Sequence, residues 1–336
     1  MTDPDPTTII WDAIGALSRF AALATMADLG VAEELRDDGP LTPDDLAKRC
    51  GADPGSLARV LRELAGMGVV SSAPGGRYAL TPAGETMCAD SPDSMLAAVQ
   101  INNEPEFRYA MGHVPRTVRQ GRAAFVDEHG PLYDYLSDNP ALARLFDTYM
   151  TSRSVPLRRA VAERYDFSSA GTLVDVGGGK GHFLGTILAA HPNLRGVLFD
   201  REHVVDAARE NFVEPDVADR CEFVSGDFFE GVHPGGDVYL LGSVIHNWSD
   251  DDAVTILSQV RGAMAEGGRV LLLEYALPDG DEPHVGKDAD IRMLALFGDG
   301  AERTVEQYRA LLGRAGLRLE RVIDLPGGAH LIEALV

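Results

Sequence analysis

From Gly171 onward, strand-like apolar runs alternate with helical stretches, and this alternation limits the possible folds more than any other feature of the chain. The runs are TLVDV, GVLFD, CEFVSGD, DVYLLGSV and RVLLLEY. Such alternation predicts an α/β domain built on a doubly wound, Rossmann-like sheet. Sheets of this kind bind ligands in the crevice beyond the carboxyl ends of their strands. The polar and glycine-rich motifs of this chain fall at those ends.

The N-terminal part reads as mainly helical. Ile9, Ile10, Ile14, Leu17, Phe20, Leu23 and Leu29 recur at three- and four-residue steps within residues 8–35, which is helical periodicity. A helix this apolar is expected to be largely buried, on its own domain or on a second subunit. Thr42-Pro43-Asp44-Asp45 is a helix start, with a capping threonine and acids near the positive helix end. A second helix begins at Asp53-Pro54, carries Leu57, Val60, Leu61, Leu64 and Met67 on one face, and stops at Gly68. VVSSAPGGRYALT then reads as a hairpin turning at Pro74-Gly75-Gly76. Two short helices and a hairpin make a winged helix. Residues 86–170 read as helical, with turns at Gly130-Pro131 and Asn139-Pro140. The expected division is a winged-helix domain over 1–100, a helical linker contributing to the substrate pocket over 101–165, and the α/β domain over 166–336.

Charge argues against nucleic acid. Between Arg36 and Glu85 six basic residues face seven acidic ones, so the winged helix has no basic surface to offer. The whole chain has 30 Lys and Arg against 52 Asp and Glu, a net charge of −22, which repels phosphate backbones. Protein–protein packing is the better use of the module. The N-terminus MTDPDPTT lacks the basic and apolar blocks of a signal peptide, and no apolar run reaches the ~18 residues of a membrane span. A cytoplasmic protein with no membrane partner is expected. Cys50, Cys88 and Cys221 fit neither a zinc spacing nor a disulfide framework. The nine histidines include no HExxH pair, so no metal is expected.

The first strand runs into Asp175-Val-Gly177-Gly178-Gly179-Lys180-Gly181, and a helix starts near His182. Glycines permit a tight turn and close approach of a ligand to the backbone, and the helix amides can meet an anionic group. The dinucleotide pattern GxGxxG requires glycine where His182 stands. The phosphate loop requires Gly and Ser or Thr where Val174 and Gly181 stand. The second strand ends at Asp200, twenty-five residues after Asp175, where an acid can accept hydrogen bonds from ribose hydroxyls. The third ends in Gly226-Asp227-Phe228-Phe229: a carboxylate there can accept from an adenine amine, and an aromatic ring can cover a purine. The fourth runs through Ser243 to His246-Asn247-Trp248, after which Ser249 caps a helix with three acids in its first turn. His246 thus stands at a strand end, and histidine is the natural base near neutral pH.

DVGGGKG, the acid of LFD, GDFF and IHNWSDDDAVTIL resemble the plant-type and bacterial small-molecule O-methyltransferases that use S-adenosylmethionine (SAM). The resemblance covers nearly the whole chain, including the winged helix, which serves dimerisation in that family. It implies that Gly177 and Gly179 line the methionine part of SAM, that Asp200 takes the ribose, and that Asp227 with Phe228 takes the adenine. Asp175 and Ser243 complete the expected cofactor set, and Arg153 sits where some relatives contact the SAM carboxylate. His246 matches the family's base, with Glu274 and Glu302 matching the acids that flank and orient it. The family often has Asp after the base, where this chain has Asn247, which keeps the size and can donate a hydrogen bond but loses the charge. Methionines near Met150 and Met293 sandwich a flat aromatic acceptor in plant relatives, and thioether–aromatic contacts are favourable. Phe146, Tyr149, Trp248 and Phe297 are the expected companions.

The expected protein is a homodimeric, SAM-dependent O-methyltransferase acting on an aromatic hydroxyl. Two alternatives stand beside it. One is a SAM-binding relative turned to hydroxylation or decarboxylation, and the other a non-enzymatic winged-helix regulator that senses a ligand.

Overall fold

A computed structural model of the chain describes residues 5–210, 212 and 215–336. They fall into two compact units: Met1–Arg108 with Leu136–Arg153, and Tyr109–Tyr135 with Ser154–Val336.

The first unit opens with α1 (Thr7–Asp28) and α2 (Val31–Asp38). The periodic stretch 8–35 is therefore two helices. Gly30 sits at φ +63°, a left-handed conformation that an α-helix cannot contain. α3 (Pro43–Cys50) and α4 (Pro54–Gly66) follow, capped by the side chains of Thr42 and Asp53, which accept from Asp45 N and Ser56 N. The antiparallel hairpin β1 (Val70–Ala73) and β2 (Arg77–Leu80) completes the winged helix. Met26, Val31, Leu46, Leu57, Leu61 and Leu64 are its core.

Within its own chain α1 is buried over only a small part of its length. Only Ala22, Ala24 and Met26 are buried, while Ile9 is 71% and Leu17 75% exposed, with Ile10, Trp11 and Ile14 exposed beside them. By length and composition α1 is also apolar enough to cross a membrane, although no uninterrupted apolar run marks it in the sequence.

Short helices continue the chain: α5 (Pro82–Glu85), α6 (Leu96–Asn103), α7 (Pro105–Gly112), α8 (Val114–Gln120), α9 (Ala124–His129) and α10 (Leu132–Asp138). The 25-residue α11 (Pro140–Arg164) then leads to the sheet. Both expected turns fall at helix breaks, Gly130-Pro131 before α10 and Asn139 before α11.

The sheet domain contains β3 (Thr172–Val176), α12 (His182–Ala190), β4 (Arg195–Asp200), α13 (Glu202–Glu210), β5 (Cys221–Ser225), β6 (Val238–Gly242), α14 (Asp250–Ala263) and β7 (Arg269–Glu274). It ends with α15 (Val285–Leu296), α16 (Val305–Arg314), β8 (Arg318–Asp324) and β9 (His330–Leu335). The strand order is β5-β4-β3-β6-β7-β9-β8, the first five parallel and β9 antiparallel to both neighbours. The chain leaves β3 toward one edge and returns to β6 on its other side, so the switch point lies between β3 and β6. That is where an open α/β sheet forms its ligand crevice.

Alternate residues of the central strands feed two cores. Leu173, Leu198, Leu240 and Leu271 pack with Ile187, Leu188 and Val205 on one face. Val174, Val197, Tyr239, Leu241 and Leu272 pack with Ile256, Leu257, Leu311 and Leu312 on the other. Tyr239 adds a polar tie at the amino end of β6. Its hydroxyl lies 2.6 Å from His233 O and 2.9 Å from Ala263 O, and accepts from Gly236 N at 3.1 Å. Tyr239→Phe should therefore destabilise the protein by ~1–3 kcal/mol through unmet backbone groups. Urea unfolding measures this, and an unchanged midpoint would show that the tie carries no stability.

Candidate active site

The cradle after β3 needs glycine at three places. Gly177, Gly179 and Gly181 all have left-handed φ, +71°, +57° and +78°. A Cβ on Gly178 would lie 2.8 Å from the Asp175 carboxyl group, whereas nothing lies within 4 Å of one on Gly179. The loop is thus packed from beneath and open above Gly179, which suits close approach of a ligand to the backbone. Gly179 N donates to Asp200 Oδ2 at 2.9 Å, and Arg201 N donates to Asp200 Oδ1 at 2.7 Å. The expected ribose acid and the cradle are therefore held as one piece. Burial raises the Asp200 pKa, against the pull of those two amides.

Asp175 sits underneath the cradle. It is buried and its Oδ2 has no hydrogen-bond partner. Burial, and then the charge of Asp200, push its pKa up to about 7. It supports the loop from below. Asp227, beyond β5, is exposed, and its Oδ1 accepts from Phe229 N at 2.8 Å. Phe228 and Phe229 meet Trp248 edge to face, with centroids 5.7 and 4.8 Å away. Trp248, expected among the acceptor residues, packs against the two phenylalanines that follow β5.

Beyond β6, Ser243 has φ +56° and is the one non-glycine among the described residues in the left-handed region. Strain of this kind persists only where neighbours hold it. Ser243 N donates to Leu273 O at 2.9 Å, and Asn247 Nδ2 donates to Ser243 O at 3.1 Å. The 3-10 turn Ile245–Asn247 that follows carries His246, only 5% exposed. Its Nδ1 is hydrogen-bonded to Glu302 Oε1 at 3.1 Å and lies 3.2 Å from Glu274 Oε2. Glu274 ends β7 and accepts from Ile245 N at 3.0 Å. Burial pushes its pKa up to about 7; His246 opposes the shift and Glu302 adds to it. Asn247 therefore donates as expected of an amide, and the three expected catalytic residues meet.

Residues outside the sequence expectation hold this group together. Asp290 Oδ1 accepts from Glu302 N at 2.9 Å. The buried Arg303 guanidinium donates to Ile245 O, Trp248 O and Asp250 Oδ1. Ala301 N donates to His246 O at 2.9 Å, and a Cβ on Gly300 would fall 2.7 Å from that same oxygen. The loop bearing Glu302 is thereby docked onto the turn bearing His246. Thr304 and Gln307 close the expected capping box behind it. The ligand atoms of His246, Glu274 and Glu302 lie within 4.8 Å of one another, close enough for a shared cation as well as a shared proton.

Tyr133 is a further residue that the sequence did not single out. It is 47% exposed, and its hydroxyl makes a hydrogen bond with the Asn247 side chain. Burial, and then the charge of Asp200, push that hydroxyl up to about 12. The ring stands 5.8 Å from Phe297, and the buried Met293 lies one turn back on α15. Phe146, Tyr149, Met150 and Arg153 lie on α11 in the part that groups with the first unit, where Phe146 neighbours Phe107 and Tyr149.

Comparison with known proteins places this geometry in a family. Residues 111–318 match the O-methyltransferase domain and residues 11–90 the O-methyltransferase dimerisation domain. A phenazine O-methyltransferase of Lysobacter antibioticus is 38% identical over 314 residues, 93% of this chain and 91% of that one. A 3-amino-4-hydroxybenzoate 4-O-methyltransferase of Streptomyces cremeus is 38% identical over 93% of this chain and 86% of its own. The crystal structure of CalO1, a methyltransferase of calicheamicin biosynthesis bound to S-adenosylhomocysteine, covers 99% of both chains at 37% identity with TM-score 0.89. An aclacinomycin 10-hydroxylase of Streptomyces purpurascens is also similar, 34% identical over 95% of this chain and 86% of its own. The chain belongs to the family of SAM-dependent O-methyltransferases.

The buried acid under the cradle generates a prediction. The Asp175 pKa rises from 3.8 to about 7 on folding, so the protonated form is the one folding favours. Its contribution to stability is present below pH ~4 and is given up as pH rises through 7. Asp175→Asn should shrink the loss of stability of the SAM-free protein between pH 5 and pH 8. Denaturant unfolding at both values measures it, and an unchanged slope would rule the effect out.

Proposed function

We infer that this chain transfers a methyl group from SAM to a hydroxyl of an aromatic, secondary-metabolite-like molecule, working as a homodimer without a metal. The observation that carries the reading is the buried His246 held between Glu274 and Glu302, beside the Asp200-anchored glycine cradle. The phenazine and aminohydroxybenzoate enzymes support an aromatic acceptor. SAM supplies a methyl group on a positive sulfonium.

The chain's own residues supply positioning and proton transfer. Gly177, Gly179 and Asp200 hold the donor at the switch point, while Met293 and Phe297 lie on the acceptor side. Joint positioning can supply an effective molarity of order 10⁵ M or more. His246 Nδ1, facing two carboxylates, keeps its proton, which leaves Nε2 to receive the acceptor's proton. Glu302 and Glu274 fix that tautomer and steady the imidazolium. The Nδ1 proton occupies the space that a cation would need.

The similar aclacinomycin 10-hydroxylase keeps hydroxylation as the second reading. Product mass with methyl-labelled SAM separates the two: a labelled methyl ether supports transfer, and an unlabelled product one oxygen heavier supports hydroxylation.

His246→Ala should lower turnover roughly 10²–10⁴-fold on a neutral phenol, with SAM affinity nearly unchanged. The loss should shrink on an acceptor already ionised at the assay pH. Equal losses on both would leave His246 a positioning group only. The dimer rests on the exposed apolar face of α1 within a matched dimerisation domain. Sedimentation should give twice 36.0 kDa, and a monomer at micromolar concentration would refute it.

A further inference from the structure

Two buried oxygens beside the base, Glu274 Oε2 and Glu302 Oε2, have no hydrogen-bond partner. Glu274 is 1% and Glu302 4% exposed, and an unmet carboxylate oxygen at such depth is costly. Glu274 Oε2 lies 3.2 Å from His246 Nδ1, and Glu302 Oε1 lies 3.1 Å from the same nitrogen. One ligand atom from each of the three side chains falls within 4.8 Å of the others. Among the described residues, no other group of His, Cys, Asp and Glu brings three such atoms together.

Spacing and chemistry together select the ion that suits this group. Imidazole nitrogen and carboxylate oxygen bind Zn²⁺ at about 2.0–2.2 Å in tetrahedral geometry, which sets the ligand atoms roughly 3.3–3.6 Å apart. The two separations from Nδ1 are a few tenths of an ångström short of that. Mg²⁺ demands octahedral oxygen ligands and keeps several waters, and Ca²⁺ takes about six to eight oxygens. A buried group of one nitrogen and two acids offers neither set. Two carboxylates also balance the charge of a dication. The buried Arg303 guanidinium is turned to Asp250 Oδ1 and to the carbonyls of Ile245 and Trp248.

We propose that His246, Glu274 and Glu302 form a Zn²⁺ site that turns the base off. The ion takes the Nδ1 lone pair, and the ring's one proton moves from Nδ1 to Nε2. Nε2 is then a donor and no longer receives the proton of an acceptor hydroxyl. Proton and cation are alternatives at Nδ1, the first leaving an active base and the second an inactive one. The loss of turnover rests on the methyltransferase reading, whereas the binding does not.

The test uses the metal-free full-length protein, ZnCl₂ in chelator-treated buffer, SAM, and a phenolic acceptor on which the wild type is active. Calorimetry should show one Zn²⁺ bound per chain, and no binding of MgCl₂ or CaCl₂. Glu302→Gln and His246→Ala should each weaken that binding at least about 100-fold, since loss of a mere supporting partner already costs about 10–100-fold. Wild-type kcat on a neutral phenol should fall in step with occupancy, by at least about 100-fold at saturation. EDTA should restore it, and SAM affinity should stay nearly unchanged. Equal Zn²⁺ binding by the wild type and both variants would place the ion elsewhere and overturn the proposal. So would no binding by the wild type, or full turnover at full occupancy. Should a variant fail to fold, nitrogen-15 NMR of the wild-type His246 ring decides. Zn²⁺ should convert the Nδ1-protonated tautomer to the Nε2-protonated one, and an unchanged tautomer would overturn the proposal. Binding that tracks the variants, in a protein that methylates no phenol, would instead refute the methyltransferase reading and leave the site standing.

Discussion

A buried imidazole sharing one nitrogen with two buried carboxylates is a demanding arrangement, and much of the sheet's carboxyl edge serves it. Glu274 is 1% exposed, and desolvating a carboxylate is costly unless donors replace the lost water. One donor to each acid and a set of docking contacts hold the group, while Glu274 Oε2 and Glu302 Oε2 have no hydrogen-bond partner. Ile245 N supports Glu274, His246 Nδ1 faces both acids, and the Glu302 loop is pinned by Asp290, Ala301 N and Arg303. The arginine binds the carbonyls of Ile245 and Trp248 on either side of the base. Glycine at position 300 is required by the same docking, since a side chain there would push on the His246 carbonyl.

Much of this was legible in the sequence because local patterns report it. The strands from TLVDV to RVLLLEY are apolar runs, and glycine clusters mark the cradle. Ser249 and Thr304 announce their helices by capping chemistry, and both caps form. His246 and Glu274 follow strand ends that parallel topology brings together, whereas Glu302 lies in the loop before α16 and was singled out by the family resemblance. β8 and β9 gave no such signal. RLERVID carries four charges in seven residues and lies at the sheet edge, where one side of each pairing is open.

Other features were invisible because they depend on tertiary approach. Tyr133 sits in an ordinary helical stretch, and nothing in LYDYLSD marks its hydroxyl as the partner of a residue 114 positions later. Nothing in the sequence marks Arg303, yet it is 4% exposed and donates to Ile245 O, Trp248 O and Asp250 Oδ1. Trp248 carried an expectation of acceptor contact from its place beside the base. Its packing against Phe228 and Phe229 was not marked in the sequence. Breaking of the 8–35 periodicity needed only Gly30, a signal that apolar spacing alone overlooks.

The connectivity of the two units has a consequence for how such a chain can change. The chain enters the second unit at Tyr109, leaves it at Leu136, and returns at Ser154, midway along α11. Neither unit is therefore a continuous stretch, and no single cut separates them whole. A recombination event joining the front of one relative to the back of another at any one junction would split at least one unit between two parents. Inheritance of either unit intact requires several junctions at once, or gradual substitution in place. Diversification within such an architecture is thus steered toward point changes on existing helices and away from exchange of whole modules.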